Sequence, residues 1–332
     1  MVVKYLLVLC DCFFCFFCFF LKKQPFVLFV VFQNIIFKSI LILFMKKILL
    51  IATLFTFALS SCSLLHITPS HKLKTISFET EKRNTAYKFF FPNAAEDTIL
   101  QKMRRDYPLE NLVKDAKNEQ EKVLLVLNWV RHQWEHNGWH DAETSNACTI
   151  LERVKNGEKF RCVEYGIVLK SALNALSLQS RTLGLKTRDV EKTKYGAGHV
   201  LAEVWLKDRQ KWAIVDAQFN AMPTLDGTPL NAVELQAAIV QKKSFKFINL
   251  QGDFSAKERK DYMGFIPHYL YYFDISFDEK HLRRKDKFTV NGKTSLFLVP
   301  NGAKNPSVFQ RKYPIDYGEY TNSIADFYVK PE

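Results

Sequence analysis

The chain has 332 residues, with 47 lysines and arginines against 34 acids for a net charge of +13, and 48% of it is hydrophobic. That length allows one or two domains, and the basic residues are scattered, with Arg283-Arg284-Lys285 and Lys242-Lys243 as the longest runs and no nucleic-acid motif among them, so a nucleic-acid partner is excluded. Only three of the seven cysteines (Cys62, Cys148, Cys162) lie beyond residue 18, which excludes a disulfide scaffold.

Residues 5–21, 25–32 and 48–60 are nearly all apolar, and Cys10, Cys12, Cys15 and Cys18 lie among repeated phenylalanines. A transmembrane pair at 5–21 and 26–44 is one reading. Asp11, Lys22, Lys23, Gln33, Asn34 and Lys38 interrupt it. The third run differs: Met45-Lys46-Lys47 is a short basic segment, and Ile48 to Ser60 is an apolar stretch too short to cross a bilayer comfortably. It ends in Leu59-Ser60-Ser61-Cys62 and resembles the lipobox of bacterial lipoproteins. The resemblance implies a signal peptide at 45–61 and a lipid on Cys62. Residues 1–44 are then expected to be a non-native N-terminal extension, translated from upstream. Residues 63–332 carry 41 basic and 33 acidic side chains, a net +8, a balance that favours an anionic membrane or cell-wall surface.

Residues 62–92 read as a polar tether. From about 93 to 134 the pattern is helical, with Val123, Val126, Leu127, Val130 and Trp134 at three- and four-residue steps, until Asn137-Gly138 breaks it. A short helix is expected over 146–155, capped by Ser145 and stopped by Asn156-Gly157. The helix over about 162–177 is the most buried in character. The period then changes to two. Residues 181–185, 199–206 and 211–217 read as strands, the last two joined by a polar hairpin turn at 207–210. A helix is expected near 231–242. The aromatic-rich tail from 254 reads as strand over 267–277, 286–298 and 324–330. The whole is expected to be α+β: a Cys-bearing helix packed on an antiparallel sheet, a catalytic domain over 93–250, and an appended β-rich region over 251–332.

Cys162 enters its helix just after the Gly157 turn. Unpaired backbone N–H groups and the aligned peptide dipoles favour a thiolate there, and Arg161 adds positive charge. His199 opens one hairpin strand and Asp216 closes the other, so the turn at 207–210 sets position 199 opposite roughly 216–218. Cysteine, histidine and aspartate then make a nucleophile, a base and a group that orients the base. The Cys162 N–H is a natural oxyanion donor, and the indole of Trp139, in a loop that can reach back, is a candidate for the second.

At these residues the chain resembles the transglutaminase-like superfamily of papain-like cysteine enzymes. The stretches that carry the likeness are GEKFRCVEYGIVLKSALNAL, SLQSRTLGL, GAGHVLAEVWL and KWAIVDAQ, from about Gly157 to Gln218. They include an aromatic three residues after the cysteine (Tyr165), an arginine in the next strand (Arg181), His199-x-x-x-Glu203-Val204, and Trp212-x-x-x-Asp216. The resemblance implies a papain-like fold and a Cys162–His199–Asp216 triad. It also implies acyl transfer on amide bonds of a peptide or protein, by hydrolysis or transamidation, with no metal or organic cofactor. The family often has a small residue just before the cysteine. Arg161 stands there instead and is expected to narrow the entrance or bind an acidic substrate group, and Tyr165 is a further candidate substrate contact. With Cys62, the implied protein is a periplasm-facing lipoprotein, held at the membrane by its lipid.

Two other readings compete. His132-Gln133-Trp134-Glu135-His136 fits H-x-x-E-H, a zinc-peptidase pattern in which His132 and His136 would bind metal from one helical face and Glu135 would act as base. No third ligand stands out downstream. A catalytically inactive peptide- or glycan-binding lipoprotein would instead use the aromatic tail, from Tyr269 to Phe273 onward, as its working surface. The intact triad weighs against that.

Overall fold

The computed structural model describes residue 73, residues 75–81 and residues 84–331. The expected extension at 1–44, the signal peptide and Cys62 lie outside the described residues. Among the described residues no helix is long and apolar enough to cross a membrane.

The helical stretch is three helices, α1 (Thr98–Asp106), α2 (Leu109–Val113) and α3 (Glu119–Arg131). The chain stops at Tyr107-Pro108, because proline disfavours a helical residue before it. It restarts where Asn118 caps α3 by accepting the Glu121 N–H at 2.8 Å. Next come α4 (Ala147–Lys155), capped by Asn146 and not by Ser145, and α5 (Cys162–Ala175). Strands β1 (Ser180–Lys186), β2 (Gly198–Leu206) and β3 (Lys211–Val215) come after them. A smaller sheet holds β4 (Met222–Leu225), β5 (Thr228–Pro229), β6 (Phe245–Asn249) and β7 (Gly252–Asp253), with α6 (Ala232–Val240) between β5 and β6.

Beyond residue 250 the chain is less strand-like than its sequence implies. Residues Ala256–Met263 are a helix, α7, and Ile324–Phe327 are another, α8. The strands there are β8 (Tyr272–Ser276), β9 (Ser295–Leu298), β10 (Val308–Phe309), β11 (Tyr313–Pro314) and β12 (Gly318–Thr321). Ser255 and Glu258 cap each other at the start of α7, the reciprocal signature that marks a helix start.

The main sheet has six strands in the order β12-β9-β8-β1-β2-β3, antiparallel except for the β12–β9 pair. Three of its strands come from beyond residue 250, and the sheet runs through that position without a break. One apolar cluster joins α1–α5 to one face of the sheet, through residues such as Val126, Leu169, Val204 and Val215. Another, including Leu183, Leu201, Leu235 and Phe273, fills the other face. The central strands β2 and β3, covered on both sides, are buried along nearly their whole length.

Two features of the core place the site. Helix α5 lies against β2 at Gly166, where a Cβ would stand 3.1 Å from Val200 Cγ1 and 3.3 Å from the Leu201 carbonyl oxygen. Glycine there lets the helix and the strand approach closely, since a Cβ would crowd both neighbours. On the neighbouring strands, Arg181 and Glu203 face each other in the β1–β2 register and form a fully buried ion pair, with Nε and Nη2 donating to one carboxylate oxygen at 2.9 and 2.7 Å. The guanidinium lies 4.2 Å from the Trp212 ring centroid, and its Nη1 donates to the Phe327 carbonyl at 3.1 Å. Arg181, Glu203 and Trp212 are therefore framework, binding the C-terminal residues to the sheet that carries His199.

Candidate active site

Cys162 is the first residue of α5. Its position is fixed from the front by Phe160, whose carbonyl accepts from the Asn137 N–H at 2.9 Å and from the Trp134 indole N–H at 3.2 Å. Glu164, buried in the first turn, accepts the backbone N–H of Arg161 at 3.2 Å and of Ala142 at 3.1 Å. The loop over 134–142 is thus tied to residues 160–164 at three points, and Glu164 caps the helix start through Arg161.

His199 and Asp216 are both buried. The β2–β3 register pairs Ala202 with Val215. Extending it by one step sets Asp216 beside Leu201, on the same face as His199 and diagonal to it. His199 Nε2 and Asp216 Oδ2 are 2.8 Å apart. That leaves Nδ1 as the ring nitrogen free to serve the sulfur, and Cys162 and the imidazole line the same cleft. Asp216 is itself held on both oxygens. The Gln218 N–H donates to Oδ1 at 3.0 Å and the buried Tyr262 hydroxyl donates to Oδ2 at 3.0 Å.

The electrostatics favour the ion pair over the neutral pair. Burial works against charge on His199, but the Asp216 carboxylate, its hydrogen bond and the Cys162 sulfur outweigh it and raise the imidazole to about 10. Burial also works against a thiolate at Cys162. The His199 hydrogen bond and charge, with the Val200 N–H, overcome it and lower the thiol below its ordinary value. Cys148, the other free cysteine among the described residues, is a buried thiol that burial pushes up. It has the character of inert core.

The three residues open on a cleft of about 470 Å³, whose lining includes Cys162, His199, His136, Arg161, Tyr269 and Asp274. Arg161 does line the entrance, but its charge is already met by Asp141 at 2.7 Å and Glu164 at 3.3 Å, so it is not an unpaired cation awaiting an acidic substrate. Tyr165 is buried and is not among the residues that line the cleft. Its ring stacks on Trp134 at 4.2 Å and its hydroxyl donates to the Trp134 carbonyl at 2.5 Å. The indole of Trp139 is 83% exposed and packs edge-on against Tyr195 at 5.9 Å. The side chain from that loop that lines the cleft is His136, whose charged form is disfavoured by burial first and by His199 next. A neutral imidazole there can donate one hydrogen bond.

The helical face expected for His132 and His136 does not form. Helix α3 ends at Arg131, His132 is its cap, and its Nδ1 lies 2.7 Å from the Asn128 carbonyl. Burial of Trp134 and its bond to Phe160 draw the residues beyond the cap out of helical register. Among the described residues no group of three or more histidine, cysteine, aspartate or glutamate side chains is placed to hold a metal ion.

Tyr262 went unread in the sequence. The Ser255–Glu258 capping signature could have announced its helix, yet nothing local relates that helix to Asp216, 46 residues away.

Residues 109–217 match the family model described as the transglutaminase-like superfamily, within a mixed α/β, largely antiparallel architecture. Nothing among curated proteins matches the chain. Among solved structures it is similar to a candidate cysteine protease from Cytophaga hutchinsonii, with 16% identity, 43% of this chain and 46% of that one covered, and a TM-score of 0.30. It is also similar to a candidate protease from Parabacteroides distasonis, with 15% identity, 49% and 28% covered, and a TM-score of 0.28. A third structure, named as a TGase, has 19% identity, 37% and 31% covered, and a TM-score of 0.26. The chain spans less than half the length of each of these structures.

Proposed function

We propose that this protein is an exported, lipid-anchored enzyme that transfers acyl groups from amide bonds of peptides or proteins through Cys162, His199 and Asp216. The observation that carries the reading is a helix-start thiol sharing a cleft with an imidazole that lies 2.8 Å from a buried carboxylate. The Cys162 thiolate attacks the amide carbonyl and forms a carbon–sulfur bond. The Cys162 N–H at the helix start faces the developing oxyanion, with His136 as the neighbouring donor on the cleft wall. The carbon–nitrogen bond breaks as protonated His199 gives its proton to the departing amine, leaving a thioester. His199 then takes a proton from water, which attacks the thioester to release the acid and restore the thiol. A primary amine in place of water would form a new amide. Hydrolysis is the favoured outcome, because it needs no second substrate. Asp216 holds the imidazole in the tautomer that accepts from sulfur and stabilises its charged form.

The test is alkylation of Cys162 by iodoacetamide as a function of pH, with mass mapping of the labelled residue. The pair's thiol is lowered and its imidazole raised, so thiolate persists as pH falls below the ordinary thiol range. Labelling should stay fast at pH 6, where an unassisted thiol is protonated. A rate that falls tenfold per pH unit below 9, as for a free cysteine, would reject the ion pair. Chelators should leave the rate unchanged.

Export and anchoring are supported by Met45-Lys46-Lys47, the apolar run to Ser60, and Leu59-Ser60-Ser61-Cys62. On this reading the catalytic domain faces the periplasm. Cys62→Ser should move the protein from the membrane fraction to the soluble fraction. Retention in the membrane by that variant would overturn the lipid assignment.

A further inference from the structure

One wall of the cleft carries a pair of opposite charges, one from within residues 109–217 and one from beyond them. Lys186, at the end of β1, forms an ion pair with Oδ1 of Asp274 on β8. The two side chains are 8% and 16% exposed, and both line the same cleft as Cys162 and His199. The Lys186 ammonium lies 4.9 Å from the Phe297 ring centroid and 5.9 Å from that of Phe309.

The strand between them is built for this pair. Gly184 faces Asp274 directly in the β1–β8 register. A Cβ at Gly184 would stand 2.2 Å from Asp274 Oδ1 and 2.9 Å from Oδ2. Glycine weakens a strand interior, and its use there marks a close approach; here the approaching group is the carboxylate. The hairpin bearing Phe309 is tied to the loop before His199. The Gln310 N–H donates to the Val190 carbonyl at 2.9 Å.

The pair leaves bonding capacity unused. An ammonium has three donors and a carboxylate about four acceptor sites. Among the described residues Lys186 Nζ hydrogen-bonds only to Asp274, and Asp274 Oδ2 has no other partner. A nearly buried ion pair is costly unless its remaining groups are met, and these face an otherwise largely apolar, aromatic-walled cleft, where a few polar groups set ligand orientation. A lone cation would be repelled by Lys186 and a lone anion by Asp274. A ligand end with both signs on one carbon meets neither penalty.

We propose that Lys186 and Asp274 form a substrate subsite for a free amino-acid centre, the ligand's α-ammonium on Asp274 Oδ2 and its α-carboxylate on Lys186 Nζ. The proposal rests on the acyl-transfer reading of the same cleft and names its acyl group: one whose scissile amide lies on the side chain of an amino acid with free α-substituents.

The test uses γ-glutamyl-methylamide, its N-acetyl derivative and its α-carboxamide, measured by calorimetry on Cys162→Ala protein so that binding is read without turnover. The free form should bind at least ~10-fold more tightly than either capped form. In the same background, Lys186→Met/Asp274→Leu should bind all three alike. Gly184→Ala, which keeps both charges and displaces the Asp274 carboxylate, should do the same, and thermal melting checks that each variant folds. Binding of the three forms to the parent within twofold of one another, or no binding of any form, overturns the subsite. The unsubstituted enzyme separates this from the wider reading. Binding in the expected pattern with neither thioester nor methylamine released leaves the subsite standing and removes acyl transfer. Methylamine released equally from free and capped forms removes the subsite and leaves acyl transfer standing.

Discussion

Replacing Cys162 by alanine should abolish thioester trapping and lower turnover by about 10⁴-fold or more, the order expected when the nucleophile of a coupled triad is lost. The sulfur has no substitute nearby. Cys148 is the other free thiol among the described residues, and it is buried with its pKa pushed up. His199, Asp216 and the oxyanion donors would remain in place, so substrate affinity should change little while kcat collapses. Quenched reaction mixtures run under denaturing, non-reducing conditions would reveal the acyl-enzyme as a mass increment on the parent and none on the variant. A variant that keeps even a tenth of the parent rate would remove Cys162 from the chemistry.

The second large effect is on stability. Arg181→Met or Glu203→Gln should each destabilise the fold by about 3–5 kcal/mol, the usual cost of stranding one partner of a buried ion pair. The loss extends beyond the pair, because Arg181 also packs on Trp212 and bonds the Phe327 carbonyl. The double variant Arg181→Met/Glu203→Leu should recover much of the loss, since apolar residues of similar volume remove both charges together. Urea unfolding midpoints measure all three. Single variants within about 1 kcal/mol of the parent would show that the pair is not structural, against the usual cost of a buried unpaired charge. The Arg181, Glu203 and Trp212 positions that accompany the triad in the sequence motif thus have a separate role. They hold the sheet that carries His199.

The local elements of the site were legible because short-range signals set them. Gly157 ahead of an apolar run places Cys162 at a helix start, and the 207–210 turn between two alternating strands places His199 near Asp216. Both depend on residues a few positions apart, where backbone geometry leaves little choice. Elsewhere local propensity was overruled. Helix α3 stops at Arg131, although its pattern continues to Trp134, because that indole is drawn to the Phe160 carbonyl. Trp139 is a candidate second donor in the sequence, and the side chain of its loop that lines the cleft is His136. Tyr165 fits a motif position, but its neighbours make it core.

By itself the sequence determined where the candidate groups sit: a thiol, an imidazole and a carboxylate on elements whose order and turns bring them to one end of a helix and a hairpin. The tertiary structure decided what surrounds that chemistry. Residues beyond 250 join the central sheet, place the Tyr262 hydroxyl on Asp216, and set Asp274 above Gly184 in the cleft. Pairings across tens of residues depend on which buried faces match once the chain is collapsed, and no short stretch of sequence encodes that match.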